Sequence, residues 1–186
     1  MTLLIILGVL LVVAVPILMW IIGTYNKIIV QGEMVENAIG QISVQQESRW
    51  DAIKSLMQAT MLYQDHESET LIDVVERRSG LNKNSTVEDI EKDERVLEEA
   101  IRSVNVVVEK YPELKASELY ANTMKSITEY EDKVKYSRMI FNDTVTKYNR
   151  LGRTFPNVLI ANMLGHEPKP YFEVSEEKKE APTWIN

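Results

Sequence analysis

Along its first half the chain sets Tyr25, Ile28, Gly32, Val35, Ile39, Ile42, Gln46, Arg49, Ile53, Leu56, Thr60 and Tyr63 at alternating steps of three and four residues. Such spacing holds one stripe of a helix against a partner, which a strand cannot do. The steps return in Val87, Ile90, Glu94, Leu97, Ile101, Val104 and Val108. They return again in Tyr120, Met124, Ile127, Glu131, Val134, Arg138, Phe141, Val145 and Tyr148. The run Val106-Val107-Val108 would favour a strand in isolation, but the helical period around it decides the matter. The expected class is all-α.

Local signals divide the helices. Gly80, Asn82, Asn84 and Ser85 make turn chemistry, and Ser85-x-x-Glu88 reads as a capping box that opens the next helix. Pro112 suits a first helical turn, after which one helix should run to about Gly152. Thr154-Phe155-Pro156 stops it, and Asn157 to Leu164 makes a further turn or two. No Gly or Pro marks a break near Asp65, so length has to decide. An unbroken first helix to Arg78 would leave the last helix overshooting it by about 20 Å at 1.5 Å per residue, with its seam bare. A reversal near residues 64–66 closes the set, with Asp65 capping a second helix that carries Leu71, Val74 and Val75. The expected body is an antiparallel four-helix bundle.

Ahead of the body lies a different solvent. No charged side chain precedes Lys27, and Leu3 to Ile22 is almost unbroken Leu, Ile and Val. About 20 such residues cross a bilayer. A cleaved signal peptide would need a basic start and a small-x-small cleavage site, whereas this chain begins Met-Thr-Leu-Leu and offers Trp20-Ile21-Ile22-Gly23. An uncleaved anchor is expected, with Trp20 and Tyr25 at the interface, Lys27 in water and Pro16 bending the span mildly. Basic bias on the C-terminal side favours a short external N-terminus and a cytoplasmic body. The expected domains are an anchor over 1–23, a helical body over 24–165 and an irregular tail over 166–186, where Pro168, Pro170, Pro182 and a charged run from Glu173 to Glu180 fall.

Composition excludes several functions. The 28 acidic against 21 basic residues, a net charge of -7, argue against nucleic acid as a partner. With no Cys, disulfides, thiolate metal sites and cysteine nucleophiles are excluded. A carboxylate di-metal bundle needs a Glu-x-x-His motif on each of two helices, but Tyr63 and Met163 stand three before His66 and His166. His66 beside Glu67 reads as a helix-turn feature. No Gly-x-Ser-x-Gly or phosphate loop occurs. Neither a metal nor another cofactor is expected.

Over essentially its whole length the chain carries Tyr25-Asn26, Gln41-Ile42, Arg49-x-Asp51, Tyr63-x-x-His66-Glu67 and Arg77, in that order. Then come Tyr111-Pro112-Glu113-Leu114-Lys115-Ala116, Glu131, Arg138, Phe141-Asn142-Asp143, Val145, Tyr148-Asn149, Phe155-Pro156 and Tyr171-Phe172-Glu173. With these motifs the chain resembles the LemA proteins of bacteria. The resemblance implies an N-terminal transmembrane helix, a helical bundle and a small N-terminus outside, in a bacterial cell membrane. It supplies no reaction, since the family's molecular function is not settled. The family often has Pro shortly after Arg-x-Asp where this sequence has Lys54, so a kink there is not carried over.

Charged or amide residues interrupt every seam: Gln46 and Arg49, Arg77, Glu94, then Glu131 and Arg138. Counting from the reversals puts them in one layer, with Arg49 close to Glu131. Such a belt sets helix register and partner choice, or else binds a small anion or ligand as a sensor or enzyme would. Asn142, Asp143, Tyr148 and Asn149 serve either packing or a partner surface, and Val158, Leu159, Ile160, Met163 and Leu164 form an apolar segment that a small bundle leaves uncovered. The leading expectation is a non-catalytic, single-pass membrane scaffold or adaptor that forms homo-oligomers and binds other membrane proteins. The rival uses the belt for ligand chemistry.

Overall fold

The structure is a computed structural model that describes residues 1–61, 78 and 80–173. Its helices are α1 (Thr2–Met61), α2 (Val87–Lys110), α3 (Pro112–Lys115), α4 (Glu118–Arg153) and α5 (Asn157–Met163), with no strand among the described residues. The protein is all-α. The expected reversal near 64–66, the second helix with Arg77, His66, and the tail beyond 173 lie outside the described residues.

Pro16 lies inside α1 without ending it, and the helix also runs unbroken past Lys54. The cap of α2 falls one residue later than expected. Thr86 accepts from the Asp89 backbone N–H at 3.1 Å, and the Asp89 carboxylate accepts from the Thr86 backbone N–H at 2.8 Å. Ser85 instead accepts from the Asn82 backbone N–H at 3.0 Å, which closes the preceding turn. The helix expected from Pro112 onward is interrupted. Ser117 Oγ donates to the Leu114 carbonyl at 2.6 Å and accepts from the Tyr120 N–H at 3.2 Å, so it ends one short helix and caps the next.

The described residues form two compact units, residues 1–37 with 143–170, and those of 38–142 with 171–173. In the second unit, Ser43 meets the Asn82 carbonyl at 3.3 Å and Trp50 meets Asp93 at 2.9 Å, so α2 runs parallel to α1. Tyr120 reaches Asn105 at 3.3 Å while Arg138 reaches Glu94, so α4 returns antiparallel to α2. Those senses are the ones an up-down bundle requires. The core is Trp50, Ile53, Leu56, Met57, Leu97, Ala100, Val104, Val108, Leu114 and Ile127. Apart from its charged members, this is the expected seam joined by neighbouring positions such as Trp50, Met57 and Ala100.

In the first unit, Ile28, Ile160 and Ala161 are buried together, with Trp20, Ile21 and Leu151 packed on them. Thr24 meets Asn157 at 3.3 Å, and the Tyr148 ring comes 3.6 Å from where a Cβ on Gly32 would stand. Here α4 runs antiparallel to α1. Tyr25, an expected seam residue, is exposed, because Thr24 and Ile28 take the inward positions of that turn.

Candidate functional site

The second unit gathers four of the expected belt residues. Arg49 on α1 is 3% exposed; its Nη1 donates to Gln46 Oε1 at 3.3 Å and lies 3.6 Å from Glu94 Oε1 on α2. The other oxygen of Glu94 accepts from Arg138 Nη2 on α4. One carboxylate therefore joins guanidinium groups from two further helices, a geometry that fixes the relative height of all three. The Arg138 guanidinium also stands 4.9 Å over the Phe172 ring, which meets Phe141 edge-on at 5.0 Å.

The expected Arg49–Glu131 pair does not form. Glu131 bonds Lys135 on its own helix at 2.8 Å, and its side chain is 39% exposed. The reason is the register between α1 and α2: Arg49 and Trp50 face Asp93 and Glu94 as adjacent pairs, which puts Glu94 first within reach of Arg49. Arg77 falls outside the described residues. Trp50 and Asp93 were not among the expected belt members, although Asp93 is buried with Trp50 Nε1 donating to its carboxylate at 2.9 Å. A signal for Asp93 existed, since it stands three after Ile90 and four before Leu97 on the same seam.

This layer holds paired charged ends and unpaired donors side by side. Arg49 Nε, Arg138 Nε and Gln46 Nε2 are buried without a hydrogen-bond acceptor, while the charged ends of both guanidinium groups converge on Glu94. The nearby pocket lined by Ser43, Glu47, Trp50, Arg78 and Asp93 holds about 40 Å³. Small-molecule sites ordinarily take about 300 to 1,000 Å³. Arg78 closes one side of it, pairing with Glu47 at 3.0 Å and standing 5.9 Å from the Trp50 ring. Among the described residues no group of three His, Cys, Asp or Glu side chains could hold a metal ion.

Asn142, Tyr148 and Asn149 face the chain's own tail. In the second unit, Asn142 Nδ2 donates to the Phe172 carbonyl at 3.0 Å and its Oδ1 accepts from the Phe172 N–H at 3.0 Å. In the first, Asn149 Nδ2 donates to the Lys169 carbonyl at 3.0 Å and its Oδ1 accepts from the Lys169 N–H at 2.8 Å. An amide side chain is suited to this, because it offers a donor and an acceptor side by side and so pairs a backbone as a strand would. Residues 166–173 of the expected free tail are thus irregular yet docked. Asp143 is exposed.

His166 stacks on buried Tyr148 with ring centroids 4.3 Å apart. It fills the space left by Gly152, where a Cβ would come within 2.1 Å of His166 Nε2. The helix ends at Arg153, as expected near Gly152, and Gly152 itself works by lacking a side chain. Burial, with Lys169 and Arg153 nearby, holds the His166 imidazole below its ordinary pKa. Burial also pushes the Tyr148 hydroxyl up, helped by Glu167.

The apolar segment splits. Ile160 is buried, so it belongs to the core and not to a partner surface, because α5 turns it onto Ile28. Val158 is half-buried, while Leu159, Met163 and Leu164 are exposed. Phe155, not anticipated, is 81% exposed beside them.

Comparison with known proteins gives the family. Residues 38–184 match the LemA family. Protein LemA of Metamycoplasma hominis is 28% identical over 160 residues, covering 83% of this chain and 71% of that one. A match over most of the chain places it: the protein belongs to the LemA family.

Proposed function

We propose that the chain is a single-pass membrane protein whose helical body is a non-catalytic scaffold, self-associating and able to dock other membrane proteins. One observation carries the reading. The apolar part of α1 has a mean hydropathy of 3.1 over its best 18 residues, none of them buried, yet the same helix continues directly into the packed body. A core helix would bury such a face, and a cleaved leader would take Trp20 and Ile21 away from Ile28, Ile160 and Leu151, on which they pack. The non-catalytic part is supported by the mutual engagement of Arg49, Glu94 and Arg138 beside a pocket the size of a water or two.

Self-association is supported by a stripe along the outer face of α1. Leu11, Val15, Leu18, Ile22, Tyr25 and Ile29 follow one another by four, three, four, three and four residues, and all are exposed. Its last members lie at or past the membrane edge, where exposed apolar side chains are costly. The chain has no Cys, so single substitutions report cleanly. In native membranes under mild oxidant, Ile29→Cys should give a covalent dimer and Lys27→Cys should not. Monomer alone from Ile29→Cys at every protein density would contradict the pairing.

The body is placed on the cytoplasmic side, with the N-terminal end outside, because the first charge past the span is Lys27. Protease added to intact protoplasts should leave the body whole. A second reading, binding of a small anion at the belt, draws on the two buried guanidinium Nε groups that lack acceptors. Isothermal titration with phosphate and sulfate against full-length protein and Arg138→Gln separates the two.

A further inference from the structure

From Met1 to Gly32 and again from Lys147 to His166 the sequence contains no Asp or Glu, although the whole chain carries a net charge of -7. The side chains charged at neutral pH in those stretches are Lys27, Lys147, Arg150 and Arg153, all exposed. Folding brings both stretches into one unit. The two arginines also suit the last turn of α4, but the helix dipole does not require that every carboxylate be missing from both stretches.

In the same unit, Ile160 and Ala161 pack with Trp20 and Ile21, near the end of the apolar run. That contact sets α5 at the depth of the membrane edge. Ile160 and Ala161 face inward, which leaves Phe155 at 81%, Leu159 at 55%, Met163 at 84% and Leu164 at 38% exposure on the outer side. Large apolar side chains at that depth, with exposed cations in the same unit, form the pattern of segments that lie in the headgroup and acyl boundary.

We propose that the segment from Phe155 to Leu164 is a second membrane contact, inserting Phe155, Leu159, Met163 and Leu164 into the bilayer interface beside the span. Lys27, Lys147, Arg150 and Arg153 meet the phosphate layer behind it. That unit is then held to the membrane at two points. This inference rests on the reading that residues 3–22 cross a bilayer.

The test uses the full chain in phosphatidylglycerol-containing vesicles, with one fluorophore attached at Phe155→Cys, Met163→Cys, Leu10→Cys or Met139→Cys. Labels at 155 and 163 should be quenched most by lipids carrying the quencher near the headgroup and should lose quenching by aqueous iodide. The label at 10 should respond to a deep quencher, and the label at 139 to iodide alone. A deep signal at 10 with 155 and 163 open to iodide would overturn the second contact and leave the span standing. Shielding of 155 and 163 from both iodide and lipid quenchers would mean that protein covers them, which also overturns it. A label at 10 open to iodide would overturn the span reading itself. The two labelled sites are the most exposed of the segment, so the substitutions do not disturb packing.

Discussion

Replacing Glu94 by Leu removes the carboxylate to which Arg49 and Arg138 both turn. Arg49 is 3% exposed, so its charge would be left with only the neutral Gln46 amide and largely out of water. Losing one member of a buried ion pair costs about 3 to 5 kcal/mol. Glu94 and Arg138 retain 22% and 23% exposure, and that partial solvation puts the expected loss at the low end, about 3 kcal/mol. With a urea slope of about 2 kcal/mol per molar, the midpoint should fall by about 1.5 M. Full-length protein in nanodiscs, followed by circular dichroism, reads this directly. Replacing Glu94 by Leu together with Arg49 and Arg138 by Met should recover most of the loss, because apolar residues of similar volume fill the layer without a stranded charge. A midpoint unmoved by the single change, or a triple variant no better than the single, would refute the structural assignment of the belt.

Asn149→Ala should free the Lys169 backbone at a cost of about 1 to 3 kcal/mol for two groups left unpaired, seen as faster hydrogen exchange of the Lys169 amide. Gly152→Ala gains up to about 1 kcal/mol of helix propensity but must displace His166, at about 1 to 3 kcal/mol, so tail docking should weaken and protease should cut after Lys169. The His166 imidazole is held below its ordinary value, so its docking is at full strength above about pH 6.5. That stability is lost as the pH falls through the lower folded-state value, and the protection of the Lys169 amide relative to its intrinsic exchange rate should fall on acidification in His66→Gln but not in His66→Gln with His166→Gln.

The seams made the helices legible, because a period of three and four residues survives whatever the side chains touch. The same period could not choose between Glu94 and Glu131 as the partner of Arg49. Counting turns locates a residue along one helix to within a turn, but the two carboxylates lie on different helices and only the α1–α2 register decides between them. Ser85-x-x-Glu88 and Thr86-x-x-Asp89 fit one motif equally, and the choice follows from Asn82, whose N–H takes the Ser85 hydroxyl. The tail clamps left no periodic trace, since Asn142 and Asn149 bind backbone, which carries no sequence. The packing role of Gly152 left no trace for the same reason: the ring that needs its missing side chain arrives from fourteen residues away. Ile160 was misplaced because a helix of seven residues is too short for its buried face to be told from its exposed one.

Retention of the apolar segment is the claim on which the rest depends. Membranes from cells expressing the full chain can be washed with alkaline carbonate, extracted with detergent and the protein mapped by mass spectrometry. The account predicts that the body stays in the membrane pellet and that peptides joining residues 3–22 to Lys27 and beyond are recovered from it. A body released by carbonate, or one that begins after Gly23, would contradict it.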